Sequence, residues 1–191
     1  PLPDEGRAAL ADDSLHLLVG TAASGVLRVD LRNGTYRAMR HRPGDPRSLS
    51  DNRVRALLRD REGRTWVGTA NGLNVHAPQR WWSTSVPMAS MPAADDPAPV
   101  PFSIAELDSG ELAVCTTQGL FVGNSDGPLR QLPGTGGPRP MRTTTLLPVA
   151  GGAFLGTEEG VFRCVRGVQA VPLTAPDPLA APAGEQDRHH P

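Results

Sequence analysis

The carboxylates weighed for joint acid–base work are the adjacent Glu158 and Glu159, on the turn of the fourth unit. A hydrolytic pair must flank the bond it breaks, about 5–9 Å apart. Two neighbours on one turn seldom face a single site, so the pair is read as a solvated turn. The histidines, His16, His41, His76, His189 and His190, are scattered, and only the last two lie close in sequence. None has zinc-ligand spacing. Cys115 and Cys164 form no CxxC. They are read as small buried thiols that pack as hydrophobes, with a disulfide between neighbouring units as the alternative. Gly127, Gly134, Gly136 and Gly137 lack the strand-to-helix context and the following lysine of a phosphate loop. The expectation is no catalytic residue, no metal and no cofactor.

Bulk composition bounds the partners. The net charge of −1 gives no general attraction to nucleic acid or acidic lipid. All 19 basic residues are arginine, and nine of them fall between Arg37 and Arg64. Asp45, Asp51, Asp60 and Glu62 are mixed among these, which reads as a solvated edge with a few partner or ligand contacts rather than a nucleic-acid face. The 21 Gly and 20 Pro are about a fifth of the 191 residues, against roughly an eighth in average usage. That excess favours short strands and turns over long helices. No apolar run approaches 18 residues, so no membrane-spanning helix is expected. The opening Pro1-Leu2-Pro3-Asp4, with neither leader nor initiator Met, is read as part of a longer protein.

Any site must be positioned by a unit that recurs. Val67-Gly68-Thr69…Gly72-Leu73 has counterparts at Val19-Gly20-Thr21…Gly25-Val26, Val114-Cys115-Thr116…Gly119-Leu120 and Leu155-Gly156-Thr157…Gly160-Val161. A period of forty-odd residues marks stacked supersecondary units. In the clearest unit, Val54, Ala56 and Leu58 alternate with Arg53, Arg55 and Arg59 as a half-buried strand. A turn at Asp60–Gly63 leads to Arg64–Thr69, an Asn71-Gly72 turn leads to Leu73–His76, and Arg80–Thr84 follows as an outer strand. Trp81 and Trp82 point to opposite faces of that strand, one toward a neighbouring unit and one available for a domain contact.

The predicted fold is all-β: a β-propeller segment of about four four-stranded antiparallel blades in an open arc. The blades run about 8–40, 48–85, 100–132 and 141–173, with a Pro-rich loop at 86–100 and a disordered tail or linker at 174–191. Gly20, Gly68 and Gly156 are expected where a side chain would strike the next blade. Thr21, Thr69, Thr116 and Thr157 are expected to bond the following turn. Gly72, Gly119 and Gly160 supply its left-handed backbone, and Trp66 belongs to the same structural set.

Ser48-Leu49-Ser50-Asp51-Asn52-Arg53-Val54, Asp60-x-x-Gly63, Trp66-Val67-Gly68-Thr69 and Gly72-Leu73-Asn74 resemble the two-component regulator propeller repeat. Asp108-Ser109-Gly110 is aligned with Asp60-x-x-Gly63 in the third unit. The resemblance implies the sensor region of a bacterial histidine kinase or diguanylate cyclase receptor, periplasmic or otherwise extracytoplasmic, in a membrane-anchored and dimeric parent. Its remaining blades would be partners of this segment, and its ligands small molecules or glycans. The stretch Asp60–Trp66 also faintly resembles the Asp-box of sialidase-type propellers, with the Asp one position early.

Placement on such a fold gathers the turns between second and third strands at one rim. Those turns carry Asn71, Gln118, Glu158 and Glu159, and Arg53 enters from the adjacent loop. They are the candidate ligand-binding residues. The alternatives to a sensing module are a propeller glycosidase or lyase and a structural protein-interaction propeller.

Overall fold

The computed structural model describes residues 2–76, 83–86, 88–89, 99–124, 126–132, 142–165 and 171–172. Among them no helix forms. Four sheets follow one another along the chain. Blade one is β1 Gly6–Ala11, β2 His16–Thr21, β3 Val26–Asp30 and β4 Tyr36–Met39. Blade two is β5 Val54–Arg59, β6 Thr65–Thr69, β7 Gly72–His76 and β8 Ser83–Val86. Blade three holds β10 Pro101–Glu106, β11 Leu112–Thr116, β12 Gly119–Gly123 and β13 Leu129–Gln131. Blade four holds β14 Thr143–Val149, β15 Gly152–Thr157, β16 Gly160–Val165 and β17 Val171–Pro172.

Each blade is an antiparallel meander, and the inner strands pack in the order β1, β5, β10, β14. The sheets thus stack face to face around an axis, as in a β-propeller. Inside the segment 86–100, expected as a loop, β9 Met88–Ala89 pairs in parallel with β13 and makes blade three five-stranded. The chain leaving blade two therefore closes the outer edge of blade three, and an unpaired edge is a liability that such cover removes. The expected tail at 174–191 and the Trp81-Trp82 pair lie outside the described residues.

Burial follows from stacking. Both parities of the second strands are apolar because both sheet faces meet a neighbour. Leu18, Val54 and Val67 share the cluster between blades one and two. Trp66, Ile104, Val114 and Phe121 share the one between blades two and three. Ala113, Cys115, Leu155 and Phe162 share the one between blades three and four.

The turns after the second strands are built alike. Thr21, Thr69, Thr116 and Thr157 each donate the Oγ1 hydroxyl to the carbonyl of the turn glycine, at 2.9, 3.0, 2.8 and 2.9 Å. Gly25, Gly72, Gly119 and Gly160 take φ of 78°, 102°, 110° and 127°, a backbone that favours glycine. The other recurrent glycine serves close approach. A Cβ at Gly68 would sit 2.9 Å from Pro101 Cβ of the next blade, and one at Gly20 would overlap Val54 Cγ1. At Gly156 the obstacle is Thr145 of its own blade, 2.5 Å from an added Cβ. Gly68→Ala is expected to cost about 1–2 kcal/mol, because overpacking forces the inner strand β10 outward. Urea unfolding of the full chain reads this directly, and an unchanged midpoint contradicts the contact.

One alignment changes. Asp60 N–H donates to Arg64 O, and the corresponding bond in blade three runs from Leu107 N–H to Glu111 O. Leu107, not Asp108, therefore stands where Asp60 stands. The turn itself is the same, Gly110 N–H donating to Leu107 O at 2.9 Å as Gly63 N–H does to Asp60 O at 3.0 Å, and only the aspartate is displaced. The strand register places its aspartate one position late.

Candidate functional site

Each inner strand carries one bulge near its start, at Arg7, Arg55, Phe102 and Thr144. A bulge leaves one residue unpaired and re-aims its side chain. The outcome is a convergence from three blades. Arg55 of β5 and Arg142, just before β14, both lie over the ring of Phe102 on β10, with guanidinium carbons 5.2 and 5.0 Å from the ring centre. Cation–π attraction holds each arginine to the ring, by about 0.5–1 kcal/mol at exposed sites. Arg142 also pairs with Glu158 at 3.0 Å. The Nε of Arg55 is buried without a hydrogen-bond partner among the described residues. Two guanidinium groups on one ring repel each other, so an acidic group arriving beside Arg55 would relieve both that repulsion and the unmet donor.

The residues singled out from sequence do not touch one another in any described contact, and most are bonded within their own turns. Arg53 is exposed and clamped by Asp51, with Nε–Oδ1 at 3.0 Å and Nη2–Oδ2 at 2.8 Å. The Arg53 side-chain bonds, followed by the Arg53 N–H, hold the Asp51 carboxyl below its ordinary value despite partial burial. Asn71 lies in the β6–β7 turn, where its N–H donates to Thr69 Oγ1 at 3.2 Å and its amide to Ser50 O at 3.4 Å. Gln118, in the β11–β12 turn, is 8% exposed, and its carbonyl accepts from Gln131 Nε2. Glu159 is exposed in the β15–β16 turn, its N–H on Thr157 Oγ1 at 3.1 Å. Only Glu158 joins the arginine–aromatic stack, through Arg142.

Arg55, Phe102 and Arg142 escaped the sequence reading, because their meeting needs three blades in register. The period-two pattern assigned Arg55 to the solvent face of β5, and the bulge is what diverts it.

Three of the dense arginines, Arg59, Arg61 and Arg64, join blades. Arg59 Nη2 meets Asp12 Oδ1 at 2.6 Å, linking blade two to blade one. Arg61 meets Glu106 at 3.3 Å and Arg64 meets Asp126 at 2.7 Å, linking blade two to blade three. The segment before β5 is tied down by a polar network. Ser50 N–H donates to Asn74 Oδ1 at 3.0 Å, Asn74 Nδ2 to Ser50 Oγ at 2.7 Å, and Ser50 Oγ lies 2.8 Å from Thr69 Oγ1. Leu49 is fully buried beside it.

Asp60 is spoken for as well. It accepts from Trp66 Nε1 at 2.8 Å, Arg64 N–H at 2.8 Å and Arg64 Nε at 2.7 Å. Its carboxylate caps a turn and orients an indole. Among the described residues no group of three or more His, Cys, Asp or Glu side chains could hold a metal ion.

The sheets, their order and the axial stack define a β-propeller segment. Residues 48–71 match the sequence model of the two component regulator propeller family. An alignment 84 positions long, covering 39% of this chain and 6% of the other, is 41% identical to histidine kinase P4 of Formosa agariphila. The fold is similar to that of the extracellular domain of the BT4673 hybrid two component system of B. thetaiotaomicron, with a TM-score of 0.76 at 18% identity over 92% of this chain and 23% of that one. It is also similar to virginiamycin B lyase from Staphylococcus aureus, with a TM-score of 0.65 at 14% identity over 91% of this chain and 57% of that one. The chain thus spans a small part of the kinase and about a quarter of the BT4673 domain.

Proposed function

We propose that this chain is part of the ligand-sensing propeller of a bacterial two-component-type receptor, standing outside the cytoplasm and relaying to a kinase or cyclase output in the parent protein. The parent's remaining blades complete the ring, and the parent is membrane-anchored and dimeric. The observation that carries the ligand-binding part is the convergence of Arg55, Phe102 and Arg142 from three blades. The repeat at 48–71 and the likeness to a histidine kinase support the signalling part. The ligand class is a glycan or its breakdown product, held by stacking on Phe102 and by the guanidinium of Arg55, with Arg53, Asn71, Gln118, Glu158 and Glu159 around the same rim.

A glycosidase or lyase on this fold would need a free acid or base at the axis. Glu158, which joins the stack, is occupied by Arg142.

The test is made in the full receptor with a reporter of its output. Arg55→Ala and Phe102→Ala are expected to raise the half-maximal ligand concentration at least about tenfold, the effect of about 1.4 kcal/mol of lost binding. Asn71→Ala and Glu159→Ala, each satisfied locally through the backbone, are expected to shift it less than about threefold. An undiminished response in both axial variants rejects the placement.

A further inference from the structure

The blades can be compared position by position, because the residue three before the strand-ending threonine points at the following blade. It is Leu18 in blade one, Trp66 in blade two, Ala113 in blade three and Phe154 in blade four. Trp66 fills its space completely and is 0% exposed. Ala113 leaves the corresponding space between blades three and four vacant, as a cavity of about 210 Å³. Its walls are Leu107, Ala113, Leu120, Val122, Leu132 and Cys164. Leu107 replaces the aspartate that receives the Trp66 N–H, so the polar end of the space has become apolar too. Burial pushes the Cys164 thiol up to about 11, so this wall stays uncharged at neutral pH. The mouth opens between the turns carrying Asp108, Ser109 and Gly151. Between blades one and two the same position is Leu18, and the cavity there is lined by Arg28, Arg37 and Arg59 beside Asp12, an environment for charge rather than for an apolar guest.

We infer that the cavity between blades three and four binds one small, flat, uncharged aromatic molecule, of about the size of the indole ring whose place it occupies. An aliphatic-lined cavity of about 150 Å³ is enough for benzene, and the larger volume here admits a bicyclic ring. The apolar walls disfavour a charged guest, and the ionisable side chain at the mouth, Asp108, repels an anion in particular. The site is separate from the axial rim and does not depend on the sensing function.

Indole is the probe, titrated calorimetrically into the full chain, with its effect on the thermal midpoint as a second reading. Wild type is expected to bind one equivalent with Kd on the order of 1 mM or tighter. Ala113→Trp should weaken binding at least about tenfold and raise the midpoint. Ala113→Leu, a milder filling that tests the idea if the tryptophan variant does not fold, should weaken it at least about threefold. Indole-3-acetate should bind wild type at least about tenfold more weakly than indole. Three results overturn the inference: no indole binding by wild type up to its solubility, equal binding by wild type and Ala113→Leu, or equal affinity for indole and its acetate.

Discussion

Trp66→Ala is expected to destabilise the chain by about 3–5 kcal/mol, the range for emptying a fully buried aromatic position. The ring is 0% exposed and packs with Ile104, Leu112, Val114 and Phe121 of the next blade. Its loss opens a cavity between two sheets that cannot close up, since the strand registers on both sides are fixed by main-chain bonds. It also takes one donor from the buried Asp60 carboxylate. Denaturant unfolding read by far-ultraviolet circular dichroism measures the cost. A change under about 1 kcal/mol would mean that Trp66 does not hold blades two and three together. The variant also recreates in blade two what blade three has naturally at Ala113, so indole should restore part of the lost stability.

Asp60→Asn is expected to cost about 2–3 kcal/mol at pH 7, the worth of hydrogen bonds made to a charged group. Asp60 is 7% exposed. Burial by itself would raise its pKa, but the bonds from Trp66 and Arg64 together hold the carboxyl below its ordinary value. A depressed carboxylate stabilises the fold fully above the unfolded aspartate pKa, about 3.9. That contribution is lost as pH falls through the lower folded value. The gap in stability between wild type and Asp60→Asn should therefore be widest near pH 7 and shrink below about pH 4. Asp12 and Asp51 are depressed by their arginine partners, more than offsetting burial, and lose stability in the same acidic range. It is the difference between the two proteins, not the wild-type curve, that isolates Asp60. A gap that stays constant from pH 7 to pH 3 contradicts the charged state of the buried carboxylate.

Much of the blade design was legible because its signals are local. Asn71-Gly72 announces a tight turn, and Gly25, Gly119 and Gly160 stand at its counterparts with positive φ. Alternation along Val54–Leu58 announces a strand with one buried face. The threonine ending each second strand is satisfied within its own turn. These choices depend on residues within about four positions of each other, and the chain repeats them.

The candidate site was less legible. The turn residues Asn71, Gln118, Glu158 and Glu159 were inferred from rim placement, yet most of their described bonds lie within their own blade. Arg55, Phe102 and Arg142 lie far apart in sequence, and no local pattern distinguishes them from ordinary strand and loop residues. Asp108 looked like the counterpart of Asp60 because composition does not reveal register.

The repeated meander, its turn chemistry and the need for both sheet faces to be covered are written in neighbouring residues, through turn geometry and period-two burial. Which side chains meet across blades came from the packed sheets alone: the arginines Arg59, Arg61 and Arg64 that join them, the pair stacked on Phe102, and the space that Ala113 leaves beside Leu107. Those depend on bulges and on the registration of one sheet against the next, where a shift of one residue turns a side chain to the opposite face.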